Sequence, residues 1–353
     1  VVGVRRRDLR ARMELLAAAG LETHDFLFEA AELLDRAMGV EFLCAASTDP
    51  ATGLVTASVG TRPIELCDSE FTRYENADPA DLNRLAELAV RPNPVGVLAL
   101  ESAGDPARSL RYREFLRPRF DFEHELRCVC RVSEVGWGAF GMYRAGGATG
   151  FGEDDATEIA ALGPVIASGI RRGLLTGPVS TAPELTGPAV LVVDADDTVS
   201  AMTPDASAVL ARLRPPSSGV VFGPIADAVA AVRFPGRRAA ARVRAVTGEW
   251  WVVRAAPLTG APPGAVAVTF ERPGVVDLLS LVVAACGLTA RERAVVDLVL
   301  RGRSTAEIAR ALHLSAYTVQ DHLKAIFAKT GVRSRRELVA RLRPPEPLGV
   351  DTN

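Results

Sequence analysis

One short pattern, repeated three times near the C-terminus, constrains this chain most. Thr289 is followed three positions later by Glu292, Ser304 by Glu307 and Ser334 by Glu337. In such a step the hydroxyl accepts from the third amide beyond it and the glutamate accepts from the hydroxyl residue's own amide, satisfying orphan donors in a helix's first turn. Ser315 opens a fourth segment without the glutamate, and Gly302 and Gly331 stand where a helix end favours a left-handed residue. The pattern predicts helices over Thr289 to Arg301, Thr305 to Leu312, Ala316 to Thr330 and Arg335 to Leu342. Only His313-Leu314-Ser315 separates the second from the third, the turn length of a helix-turn-helix.

On the third helix Val319, Leu323, Ile326 and Phe327 fall on one apolar stripe. Tyr317, Asp321, Lys324 and Ala328 lie opposite, flanked by Thr318 and Gln320. These residue types suit the major groove: an amide matches adenine, a carboxylate accepts from cytosine N4, and an ammonium reaches guanine or phosphate. A carboxylate facing a polyanion is repelled unless it meets a donor, so Asp321 either reads a base or bonds a neighbour. Charge points the same way. The chain's net charge is −2, yet Leu288 to Arg343 carries twelve basic against five acidic residues, leaving an acidic body. A compact basic module of this kind gains non-specific DNA affinity from counterion release; a solvated helical surface is the plainer reading of the same charges.

The strings Gly287-Leu-Thr-Ala-Arg-Glu-Arg, Gly302-Arg-Ser-Thr-Ala-Glu-Ile-Ala, Leu314-Ser-Ala-Tyr-Thr-Val-Gln-Asp-His-Leu and Lys329-Thr-Gly-Val-Arg-Ser-Arg resemble the LuxR-type four-helix DNA-binding domain. The resemblance implies that Ala316 to Thr330 reads the major groove of double-stranded DNA and that Arg335 to Leu342 contributes to a homodimer. It implies groove-facing roles for Gln320, Asp321 and Lys324, beside Tyr317 and Thr318, and backbone contacts for Lys329 and Arg335. Where the family pattern has lysine after Thr-Val, this chain has Gln320.

Upstream, apolar spacing is helical from Asp8 to Met38, and Val40 to Ala46 with Leu54 to Val59 reads as two strands across the turn Thr48 to Gly53. Leu126 to Val132 and Trp137 to Tyr143 form a second pair, and helical spacing returns from Asp154 to Leu175. This region, 8–175, resembles a GAF domain. Residues 176–188, rich in Gly, Pro, Ser and Thr, read as a linker. Strands at Ala189 to Val193 and Thr198 to Ala201, a helix from Pro204 to Leu213, then strands at Arg238 to Val246, Trp250 to Ala256 and Gly264 to Phe270 resemble a PAS domain over 189–272. An apolar helix, 275–285, would connect it to the module at 288–343. The fold class expected is multidomain α+β: GAF-like and PAS-like antiparallel sheets with helices, then an all-α helix-turn-helix domain.

Composition narrows the chemistry. The chain's lysines are Lys324 and Lys329, so no phosphate-cradling loop with its lysine, and no phospho-acceptor site with its helper lysine, precedes position 324. The longest stretch free of charge, Ala255 to Phe270, contains three prolines and is too short to span a membrane. With no signal-like start, a cytoplasmic protein is expected. Five cysteines do not make a disulfide scaffold. Between His124 and His313 there is no histidine, and between Cys130 and Cys286 no cysteine, so a cofactor in the PAS-like region would be held without covalent or haem ligation. Glu123, His124, Cys128 and Cys130 cluster in sequence, with both cysteines on one strand face. They read as packing residues, against the alternatives of a zinc or redox site. His24 reads as a surface or packing residue, and Trp137, Trp250 and Trp251 as core. The expectation is a non-enzymatic, homodimeric DNA-binding regulator answering a small-molecule effector and acting on RNA polymerase, with its cofactor unknown. Two rivals are a thiol-dependent GAF enzyme with a regulatory DNA-binding tail and a DNA-binding scaffold without a ligand.

Overall fold

The computed structural model describes residues 6–62, 68–132, 134–176, 184–213, 223–234 and 238–342. The chain divides into two compact units, with the boundary between Arg272 and Pro273.

The first unit begins with α1 (Arg6–Ala18) and α2 (Thr23–Met38), then β1 (Phe42–Thr48) and β2 (Val55–Gly60). Helices α3 (Asp68–Ala77) and α4 (Leu85–Leu88), strand β3 (Val95–Val97) and helices α5 (Leu98–Glu101) and α6 (Arg117–Phe120) follow. Long strands β4 (Phe122–Val132) and β5 (Val135–Ala145) and the 21-residue α7 (Glu153–Gly173) complete the first half. Its sheet is antiparallel, in the order β2-β1-β5-β4-β3. Helices α2 and α7 cover one face, and α1 packs on both of them. Ile159, Leu162, Ile166 and Ile170 of α7 are buried at helical spacing. Gly169 is what lets α7 approach α2, because a Cβ there would lie 2.1 Å from the Phe26 ring.

The second half contributes β6 (Ala189–Val193), β7 (Val199–Met202), α8 (Pro204–Leu213), α9 (Gly223–Arg233), β8 (Ala240–Arg244), β9 (Trp250–Pro257) and β10 (Val266–Glu271). Its sheet repeats the same order, β7-β6-β10-β9-β8. Residues 184–188 of the expected linker run into β6, while 177–183 lie outside the described residues.

The halves are not beads on a string. Leu54, from the turn between β1 and β2, is fully buried in the core of the second sheet beside Trp251, Val253 and Phe270. Asp49 of the same turn accepts from the Arg242 amide at 2.9 Å, its Nε at 2.7 Å and its Nη2 at 2.5 Å. Asp227 of α9 accepts from the Val55 amide at 2.7 Å. A hairpin turn of the first sheet is therefore part of the second half's interior, which explains why both sheets fall in one unit.

The second unit is helical: α10 (Val275–Ala285), α11 (Ala290–Leu300), α12 (Thr305–Leu312), α13 (Ala316–Thr330) and α14 (Arg335–Leu342). The caps form where the sequence calls for them. Thr289 Oγ1 accepts from the Glu292 amide at 3.2 Å while Glu292 Oε2 accepts from the Thr289 amide at 2.7 Å, and Ser304 and Glu307 repeat the exchange at 3.3 and 2.7 Å. At the fourth helix Ser334 accepts from the Glu337 amide at 3.2 Å, but the glutamate takes the Arg333 amide, one residue earlier than a reciprocal box requires. Gly331 ends α13 at φ 67°, and His313 ends α12 in the same left-handed region at φ 53°.

Candidate nucleic-acid interface and sensor cavity

Helix α13 is oriented by its apolar stripe. Val319, Leu323 and Ile326 are buried against α11 and α12, so the other face must point outward. Tyr317 is 74% exposed, and Gln320, Asp321 and Lys324 are exposed beside it. Thr318 is half-buried and bonded to the Ser315 hydroxyl at 2.8 Å, completing the cap. Asp321 lies 3.6 Å from Lys324 Nζ, so the carboxylate bonds a neighbour one turn along. Gln320 Nε2 reaches Thr305 Oγ1 at 3.5 Å. Tyr317, Gln320, Asp321 and Lys324 thus share one exposed surface.

Lys329 does not join them. Its Nζ donates to both oxygens of Glu292, at 2.9 and 2.7 Å, and lies 3.5 Å from the Gly287 carbonyl. Its ammonium bonds a buried cap glutamate and ties α13 to the start of α11. Burial opposes ionisation of Glu292, but Lys329 and the Thr289 amide outweigh it and hold the carboxyl below its usual range. Arg335 hydrogen-bonds the Arg303 carbonyl, fixing the start of α14 beside the loop after α11.

The first unit holds a cavity that the sequence did not reveal. It lies on the sheet face away from α1, α2 and α7, where even-numbered β1 residues Cys44, Ala46 and Thr48 alternate with inward-packed Leu43 and Ala45. A space of 350 Å³ adjoins one of 70 Å³, and both are walled by Ala46, Val55, Phe71, Thr72, Leu85 and Ala139. Helix α9 of the second half lines it as well, through Gly223 and Asp227. At its rim lies a buried charge network. Arg127 Nη1 is 2.8 Å from Glu75 Oε2, and Arg111 Nη2 is 2.8 Å from Glu125 Oε2. Arg111 also takes Asp81 at 3.4 Å. Glu75 is held below the usual carboxylate range despite burial because Arg127 and Arg111 face it.

The thiols are poorly placed for nucleophilic chemistry. Burial, reinforced by Asp68, pushes Cys44 up to about 12, and burial with the neighbouring Cys128 raises Cys130 as well. Cys128 and Cys130 are fully buried on the α7 side of β4, opposite the cavity. Cys67 lies outside the described residues. Among the described residues no group of three or more His, Cys, Asp or Glu is placed to hold a metal ion. Trp137 and Trp251 are core residues, whereas Trp250 and His24 line a separate crevice of 260 Å³ between the halves. No described helix is long and apolar enough to cross a membrane.

Helices α12 and α13 form a capped helix-turn-helix with one exposed face, and comparison with known proteins shows what it is similar to. Residues 287–342 match the family described as bacterial regulatory proteins, luxR family. The spore germination protein GerE of Bacillus subtilis is 40% identical over 55 residues, 16% of this chain and 74% of that protein. The chain belongs to the luxR family of bacterial regulatory proteins. A monoamine regulon transcriptional regulator of Klebsiella aerogenes is 54% identical over 54 residues, but the match spans only 15% of this chain and 24% of that protein. Among solved structures, the phycocyanobilin-bound GAF domain of a cyanobacterial phytochrome is similar at 14% identity and a TM-score of 0.36, over 49% of this chain and 98% of that one.

Proposed function

We propose that this chain is a DNA-binding transcriptional regulator whose first unit senses a small-molecule effector and whose second unit reads an operator through α13. The observation that carries the proposal is the exposed quartet Tyr317, Gln320, Asp321 and Lys324 on a helix whose opposite stripe is buried. Gln320 and Asp321 contact base edges, Lys324 contacts guanine or phosphate, Tyr317 and Thr318 meet the backbone at the helix start, and Arg335 lies at the flank. A homodimer addresses two half-sites in the cytoplasm, with RNA polymerase as the downstream partner. The cavity between the first sheet, α3 and α9 is the effector site, and the protein is not an enzyme. Raised thiol pKa values support the last point against a thiol-dependent reaction.

Selection of bound duplexes from a random pool tests this reading. The parent protein is expected to enrich one motif, and Tyr317→Ala/Gln320→Ala/Lys324→Ala to enrich none. Equal enrichment by both proteins would refute the assignment of α13.

A further inference from the structure

The charges that wall the sensor cavity restrict what enters it. Asp49, Asp68, Glu75 and Asp227 line it, against Arg84 and Arg127. Adding the immediate partners changes the balance little: Arg242 sits on Asp49, while Arg111 brings Asp81 and Glu125 with it. Among the described residues, six carboxylates thus lie in and around the lining with four guanidinium groups. An anion would enter an excess of negative charge among these groups.

A cation fares no better, because the lining carboxylates are already engaged. Asp49 is held by three donors of Arg242, Glu75 by Arg127 and the Leu85 amide, and Asp227 by the Val55 amide. Asp68 also has a partner within the protein. One polar atom stands out by contrast. Among the described residues that line the cavity, only Arg127 has a buried side-chain nitrogen without a hydrogen-bond acceptor, its Nε, which lies 3.9 Å from Glu125 Oε1, beyond hydrogen-bond reach. Arg127 is 1% exposed, so water does not satisfy this donor from bulk. A buried, unsatisfied guanidinium N–H is destabilising until an acceptor meets it. The remaining wall is mostly apolar, from Val55 and Phe71 to Leu85 and Phe140, with Thr48, Ser58, Thr72 and Asn76 among it.

We infer that the cavity binds an uncharged, largely apolar small molecule that offers one hydrogen-bond acceptor to Arg127 Nε, and that it excludes phosphate- and carboxylate-bearing ligands. The inference rests on the reading of this cavity as the effector site. A neutral acceptor satisfies the open donor without adding charge, and apolar surface removed from water supplies the affinity.

Two dyes that share one skeleton separate these properties: neutral N-phenyl-1-naphthylamine and its sulfonated relative 8-anilinonaphthalene-1-sulfonate. Fluorescence titration of the full chain is expected to show the neutral dye binding at least about tenfold more tightly, a difference of about 1.4 kcal/mol. Thr72→Phe, at a half-buried position of α3, fills the cavity from its wall and is expected to abolish binding of the neutral dye. Ala46→Phe does so from the sheet, and the melting midpoint of each variant verifies that it is folded. If the sulfonated dye binds as tightly and Thr72→Phe displaces it, the charge argument is overturned while the site stands. If folded Thr72→Phe and Ala46→Phe leave the binding of both dyes unchanged, or if neither dye binds the parent, the cavity is not a ligand site and both readings fall.

Discussion

Lys329→Met separates a structural lysine from a DNA-contacting one. The substitution keeps the aliphatic stem and removes the ammonium that bonds both oxygens of Glu292 at 2.9 and 2.7 Å. Exposed ion pairs contribute about 0.2–1 kcal/mol, whereas removing one partner of a buried pair costs about 3–5 kcal/mol. This pair is intermediate: the Glu292 side chain is 6% exposed and that of Lys329 36%. The Thr289 amide, which also bonds Glu292, remains after the substitution. A loss of about 1–2 kcal/mol follows, lowering the melting midpoint by about 4–8 °C per kcal/mol in a unit of this size. Far-UV circular dichroism of residues 273–353 under heat and urea reads it directly. The pH dependence has a definite sign. The folded-state pKa of Glu292 lies below its unfolded value, so the pair stabilises fully above the ordinary glutamate value near about 4.3 and stops contributing as pH falls through the depressed one. Parent and variant should therefore converge in acid. Unchanged stability at pH 7, together with a fall of roughly one in the slope of log K against log salt for DNA, would refute the structural role and restore Lys329 as a phosphate contact.

Lys324→Ala should lower that salt slope by roughly one, whereas Asp321→Ala should change the preferred sequence, as read by anisotropy titrations and selection. Leu54→Ala should destabilise the first unit by about 2–5 kcal/mol, measured by urea unfolding, because the side chain is fully buried in the second half's core. Asp49→Asn removes the carboxylate charge that Arg242 bonds and should increase hydrogen exchange in β2 and β8 together; exchange confined to one of these strands would show that the turn does not join the halves. Cys128→Ala/Cys130→Ala should leave the response of DNA binding to mild peroxide unchanged, since both thiols are buried and Cys130 is held in its protonated form.

The second unit was legible because its signals are local. Each cap is written within four residues, and the stripe of Val319, Leu323 and Ile326 repeats at helical spacing, so bounds such as Ala316–Thr330 follow from sequence. The paired strands of both sheets were legible for a related reason, alternation bounded by turn residues. The cavity was not, because its walls obey other rules. Helix α9 is buried from Gly223 through Ala231, so it has no polar face and no period to read. Helix α3 reads as polar because Glu75 is buried on a partner distant in sequence, Arg127 of β4 being 52 positions away, and buried Asn76 bonds the Thr72 carbonyl within the helix. Strand β3, three residues long, carries too little pattern to detect. The ion pair of Lys329 was not legible because its partner Glu292 lies 37 residues away; the hint was that Glu292 already served a cap.

Methylation interference on the DNA selected by the intact protein tests the central claim most directly, because dimethyl sulfate modifies guanine at N7 in the major groove and adenine at N3 in the minor groove. If α13 reads the operator through Gln320, Asp321 and Lys324, methylation at guanine N7 within each half-site should block binding, and Lys324→Ala should relieve the block at one position. Interference at adenine N3 alone, or none at any selected position, would contradict a major-groove reader.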